Sequence, residues 1–103
     1  MAEGTDKKRR ERKPKGYSEI FIGGKAFMNY VTGVVMQFNG GAVDVSIKAR
    51  GKYISRAVDV AEVVKNRFFQ GVEIKEVKIG SEEFTGDNNR QIRVSTIDIV
   101  LTK

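Results

Sequence analysis

The stretch VDVSIKARGKYISRAVDVAEVV, residues 43–64, changes period once, at Arg50-Gly51. Before the glycine, Val43, Val45 and Ile47 alternate with Asp44, Ser46 and Lys48, the two-residue period of a half-buried strand. After it, apolar residues recur at helical spacing, and the pattern predicts a helix from Tyr53 to Phe69, closed by Gln70-Gly71. A strand that breaks at a basic glycine loop and becomes a helix is half of a βαβ unit.

The other half lies upstream. Glu19–Ile22 is a short apolar run ending at Gly23-Gly24. From Ala26 to Phe38, the residues Phe27, Val31, Val34, Val35 and Phe38 share a helical face, and Asn39-Gly40-Gly41 stops it. Downstream, Val72 to Glu83 and Arg90 to Thr102 read as strands around a turn at Thr85 to Asn89. The order β-α-β-α-β-β predicts a two-layer α/β (α+β) sandwich. Its four-stranded mixed sheet carries two helices on one face and ends in an extended β-hairpin arm.

Two irregularities sharpen this outline. The second helix is apolar on too many sides. Ile54, Ala57, Val58, Ala61 and Phe68 form a stripe for the sheet, while Val60, Val63 and Val64 widen the arc. Either the first helix covers that surplus or a second copy of the chain or a paralogue does, with Val60, Val63, Val64, Arg67 and Phe68 as the expected partner contact. The hairpin also changes phase. Val72 and Ile74 share one parity and Val77 and Ile79 the other; Ile92 and Val94 are even, whereas Ile97, Ile99 and Leu101 are odd. Slips in both strands, with the outer half from about Lys78 to Arg93 leaving the sheet as an arm, would account for this.

Composition narrows the chemistry. The chain has 103 residues, one domain's worth, with 19 Lys and Arg against 13 Asp and Glu, no His and no Cys. Thiolate and imidazole metal sites, His-activated nucleophiles and disulfides are thereby excluded. No run approaches the ~18 apolar residues of a membrane span. Residues 1–16 hold seven basic and three acidic side chains and almost nothing apolar, which predicts a flexible basic tail ahead of one domain at 17–103. No cofactor or metal is expected. Glu82, Glu83 and Asp87 read as an acidic turn, and a metal-dependent nuclease is the least favoured function.

The basic residues have a place in this fold. The loops leaving two parallel strands emerge on one edge of the sheet, the usual ligand side. Here they are Gly23-Gly24-Lys25 and Lys48-Ala49-Arg50-Gly51-Lys52, each leading into a helix. Their convergence predicts a phosphate-binding edge, with Arg90 and Arg93 on the arm beside it.

Several motifs carry a resemblance. Ile22-Gly23-Gly24-Lys25-Ala26-Phe27-Met28-Asn29-Tyr30-Val31 and Ile47-Lys48-Ala49-Arg50-Gly51-Lys52-Tyr53-Ile54-Ser55-Arg56-Ala57-Val58-Asp59 closely resemble the Alba family of small archaeal chromatin proteins. Lys65-Asn66-Arg67-Phe68, Ile74-Lys75-Glu76-Val77 and Arg93-Val94-Ser95-Thr96-Ile97 follow in order, so the resemblance spans Ser18 to Lys103. It implies a sequence-tolerant double-stranded DNA-binding protein that coats and compacts DNA as a dimer and also binds RNA. The alternative is an RNA-binding module of a ribonucleoprotein. It further implies a nucleic-acid surface at Gly23, Gly24, Lys25, Asn29, Lys48, Arg50, Gly51, Lys52, Arg90 and Arg93, a dimer contact at Phe68, and a cytoplasmic, nucleoid-associated location. The family's first loop is a Lys-Lys pair whose first lysine is acetylated. Gly24 stands at that position and only Lys25 is kept, as in a diverged second paralogue, so the acetylation switch does not carry over by position.

Overall fold

A computed structural model describes residues 16–69 and 71–103. The basic tail expected over residues 1–16 therefore lies, apart from Gly16, outside the described residues. Four strands, β1 (Tyr17–Phe21), β2 (Asp44–Arg50), β3 (Glu73–Thr85) and β4 (Gln91–Thr102), form one sheet in the order β1-β2-β4-β3. Strands β1 and β2 are parallel, and β4 is antiparallel to both β2 and β3. Helix α1 (Phe27–Asn39) joins β1 to β2, and helix α2 (Ile54–Val63) follows a single 3-10 turn, Gly51–Tyr53. The expected element order and mixed sheet are both present.

Alternation along β2 sets the two faces. Val45, Ile47 and Ala49 are buried under the helices, and Tyr30, Val31, Val34 and Phe38 of α1 meet them. Leu101 and Ile99 of β4 extend the same apolar layer. Burying a side chain of this size stabilises by about 1.5–3 kcal/mol, and Phe38 adds an edge-on contact with Phe69, ring centroids 5.4 Å apart. The other sheet face is helix-free and polar. There Lys48 reaches Glu19 at 3.1 Å and Asp98 at 3.6 Å, and Ser46, fully buried, donates to Asp98.

The stripe expected on the second helix needs correction. Ala57, Val60, Ala61 and Val64 are the residues buried against the sheet, at the i, i+3, i+4, i+7 spacing of one helical face. Val60 and Val64 are thus core residues with no exposed surface and cannot form the partner contact expected of them. Val58 and Phe68, expected to face the sheet, are 41% and 48% exposed. For Val58 the cause is its place about 100° around the helix from Ala57. For Phe68 it is a π turn, Val64–Phe68, in which the Phe69 N–H bonds to the Val64 carbonyl at 3.1 Å. The wider turn rotates Phe68 off the apolar face and delivers Phe69 to it.

The layer of helices stops short of β3. Helix α2 lies over β2 and β4. Ile74, Val77 and Ile79 pair with Leu101, Ile99 and Ile97, which places them on the helix side of the sheet, yet Ile79 is 82% exposed. The surplus apolar surface therefore exists but sits on β3, together with Val58 and Phe68, and not on Val60 and Val64.

The hairpin slips once, not twice. In β3 the register shifts between Ile74 and Glu76, making Lys75 the extra residue, and this accounts for the change of parity from Ile74 to Val77. Strand β4 pairs without interruption from Gln91 to Thr102. Its change of parity is a change of face: Ile92 and Val94 lie on the helix-free side, Ile97, Ile99 and Leu101 on the helix side. Pairing with β2 ends at Arg50↔Thr96, so the free arm begins at Ser81 and Ser95, a little beyond the expected Lys78. Five further pairs carry it roughly 17 Å beyond the end of β2.

Candidate nucleic-acid interface

The first loop starts where the β1–β2 ladder ends, with the Ile22 N–H on the Lys48 carbonyl at 2.8 Å. Tyr30, one turn inside α1, returns its hydroxyl to the loop and accepts the N–H groups of Gly23 at 3.0 Å and Lys25 at 2.9 Å. Two backbone donors of this loop are therefore already used, and their service is to hold the loop's shape. A second clamp comes from α2: Arg56 donates to the Lys25 carbonyl at 2.6 Å. Arg56 was not among the residues that the sequence singled out. Its reach across 31 positions is invisible without the packing of α2 against the loop.

Strand β2 runs on through Arg50, so Lys48 and Arg50 are strand residues and not loop residues as expected. The basic cluster consequently divides. Lys48 and Arg50 lie on the helix-free face, while Lys25 and Lys52 lie on the loops. Gly51, at φ 61°, makes the turn that separates Arg50 from Lys52. A left-handed angle of this kind is costly for a residue with a Cβ.

Each cation of the helix-free face has a carboxylate. Arg50 pairs with Glu82 at 3.0 Å, Lys78 with Glu76 at 3.3 Å, and Lys75 with Asp44 at 2.9 Å. Burial pulls the Lys48 ammonium down, but its hydrogen bond to Glu19 and the charges of Asp98 and Glu19 outweigh this, and its pKa stands above the ordinary lysine value. On the arm, the Arg93 guanidinium is held by Glu83. A groove of about 500 Å³ opens here between Phe21, Arg50, Lys78, Gly80 and Thr96, and its rim charges are largely cancelled.

The loop side differs. Among the described residues, Lys25, Lys52 and Arg56 lie within ion-pair distance of no carboxylate, and neither does Arg90 at the arm's tip. A cleft of about 580 Å³ lies between the first loop and the first turn of α2, lined by Gly24, Phe27, Lys52 and Tyr53, then Ser55, Arg56 and Asp59. Asn29 is exposed in the first turn of α1. The structure thus brings Lys52 and Arg56 together with Gly24 at this cleft, leaves Lys25 on the adjoining loop, and places Lys48 and Arg50 on another face. It sets Arg90 and Arg93 apart on the arm, which projects from the same edge of the sheet.

The acidic residues of the arm do not converge. Neighbours in a strand point to opposite faces, so Glu82 meets Arg50 and Glu83 meets Arg93. Asp87 belongs to the tip, a 3-10 turn Asp87–Asn89 in which Asn88 and Asn89 take left-handed angles. Among the described residues, no group of His, Cys, Asp and Glu is arranged to hold a metal ion, and no helix is long and apolar enough to cross a membrane.

Known proteins share this arrangement. The sequence model of the Alba family matches residues 18–81. The DNA/RNA-binding protein Alba 1 of Archaeoglobus fulgidus is 50% identical over 86 residues, 84% of this chain and 96% of that protein. The DNA/RNA-binding protein Alba of Methanocella arvoryzae is 52% identical over 84 residues, 82% of this chain and 88% of its own. The solved structure of Alba from Thermoplasma volcanium superimposes with a TM-score of 0.77 at 44% identity, covering 82% of this chain and 99% of that one. With the family model matching most of the chain, relatives at about half identity over most of its length, and the fold in common, the chain belongs to the Alba family.

Proposed function

We propose that this protein is an architectural nucleic-acid-binding protein that holds the phosphate backbone of duplex DNA, and also RNA, with little regard for sequence. The observation that carries this reading is the set of cations without carboxylates among the described residues, Lys52 and Arg56 lining one cleft and Lys25 on the loop beside it, on the edge from which the arm projects. A ligand that supplies only acceptor oxygens and negative charge fits such a surface, and phosphate contacts position a duplex without reading it. Arg90 on the arm would extend the contact along the duplex, and the net charge of the first sixteen residues would add long-range attraction. RNA is included because the relatives of Archaeoglobus fulgidus and Methanocella arvoryzae are named for both nucleic acids. The role is binding and not catalysis, in a cytoplasmic, chromosome-associated setting.

The working unit is a dimer in this reading. Ile74, Val77 and Ile79 form an uncovered apolar strip on the helix side of β3, Val58 and Phe68 are exposed as well, and a second copy or a paralogue would remove such surface from water. Competition between duplex DNA and duplex RNA of one length, at fixed salt, tests the ligand. Binding of neither overturns the proposal. Sedimentation of the wild type and of Ile79→Glu tests the assembly: a dimer is expected for the first and a monomer for the second.

A further inference from the structure

Gly24 is not a glycine for its backbone angle, since its φ lies outside the left-handed region. Its distinction is the missing side chain. A Cβ at this position would stand 3.3 Å from Tyr53 Oη, tighter than such contacts normally are. Gly24 and Tyr53 are therefore sterically matched, and the phenol occupies space that any larger residue would contest.

The Tyr53 hydroxyl also lacks a partner. Tyr30 Oη receives two backbone N–H groups, whereas Tyr53 Oη has no hydrogen bond among the described residues. Its surroundings explain this. The Lys52 ammonium lies over the Tyr53 ring, 5.5 Å from the centroid. Arg56 is drawn to the loop by the Lys25 carbonyl, and Ser55 adds another hydroxyl. These groups are mostly donors. Asp59, at the cleft's far end, is the one carboxylate that lines it. A half-buried O–H among cations is completed by an anionic acceptor without protons of its own, which describes a phosphodiester oxygen.

We propose that Tyr53 is a nucleic-acid-contacting residue whose hydroxyl donates to a backbone phosphate oxygen held by Lys52, and that Gly24 leaves it the room to do so. This rests on the phosphate-binding reading above and names a residue and a hydrogen bond within it.

The test is a double-mutant cycle with Gly24→Ala, Tyr53→Phe and both together, and Lys52→Ala as a reference. Each variant is first shown to melt as the wild type does, then titrated with labelled duplex DNA across a salt series. Tyr53→Phe is expected to weaken binding about three- to tenfold, the size of one hydrogen bond. It should leave the slope of log K against log[salt] unchanged, because no charge is removed. Lys52→Ala should flatten that slope by roughly 0.9. Gly24→Ala should weaken binding in the wild type and have no effect once the hydroxyl is gone. Wild-type affinity in Tyr53→Phe, alongside a weakened Lys52→Ala, overturns the role of Tyr53 and leaves the phosphate-binding reading standing. Additive effects of Gly24→Ala and Tyr53→Phe overturn the steric match. Unchanged binding in both Tyr53→Phe and Lys52→Ala overturns the placement of the cleft as well.

Discussion

The two sides of the sheet's ligand edge hold similar numbers of basic residues and differ in what those residues touch. On the helix-free side Lys48, Arg50 and Lys78 each face a carboxylate. On the loop side Lys25, Lys52 and Arg56 face none among the described residues. Formal charge alone does not locate a phosphate site. A cation already paired must exchange one anion for another, and its net gain on binding is reduced by what it gives up. For exposed pairs that cost is modest, about 0.2–1 kcal/mol, so the contrast is one of degree for Arg50. It is greater for Lys48, which is half-buried and holds two carboxylates.

The largest expected effect is on the loop side. Lys25→Ala combined with Lys52→Ala should weaken duplex binding by roughly fifty- to a hundredfold at 0.1 M salt and flatten the salt slope by about 1.8, two contacts' worth. Equal losses from Lys48→Ala combined with Arg50→Ala would erase the distinction between the sides. Next comes Tyr30→Phe, which leaves the N–H groups of Gly23 and Lys25 without their acceptor. Thermal melting should show a loss of about 1–3 kcal/mol, and affinity should fall without a change of slope. A variant as stable as the wild type would mean that the loop holds its shape without Tyr30.

A smaller effect runs in the opposite direction. Glu82→Gln releases Arg50 and removes a negative charge near the duplex, so binding should tighten about two- to fivefold, most clearly at low salt. Weaker binding would show that the carboxylate positions Arg50 for its contact. The smallest effect is on the stability of the helix-free side. The Asp44 carboxyl titrates below its ordinary value because Thr102 and Lys75 donate to it. Its folded pKa is depressed, so its contribution to stability is present above the ordinary carboxylate range and is lost as pH falls through the lowered value. Acid unfolding of Asp44→Asn should show a shallower dependence on pH in that window than the wild type. Identical curves would assign the acid sensitivity to other carboxylates.

Much of this was legible in the sequence, and the losses have definite causes. Period and glycine breaks carried the order of elements, because a strand and a helix bury different residue spacings. The slip of β3 was visible in the parity of Ile74 and Val77. Phe68 departs from the expected stripe because a π turn, Val64–Phe68, leaves no mark on composition yet rotates it off the apolar face. Val58 and Val60 exchange roles within the helix itself, where the apolar arc is too wide to show which side meets the sheet. The site was read as one cluster because Lys48, Arg50 and Lys52 are close in sequence. Their separation follows from β2 continuing to Arg50 and Gly51 turning after it. The pair Arg50–Glu82 depends on the register of three strands, which no local pattern encodes. Nor does Gly24 in the sequence announce the phenol of Tyr53, 29 positions away.

The strand order has a bearing on how the chain folds. Strand β4 follows β3 in sequence but lies between β2 and β3. A folding chain in which β1, β2 and β3 have formed and β4 has not docked has two inner edges and nothing to join them, with Val45, Ile47, Ile74 and Val77 near those edges. Unpaired edges of this kind are templates for pairing with other chains. The uninterrupted run of β4, twelve residues long, then closes both at once. Until β4 docks, both edges stay open to pairing with other chains.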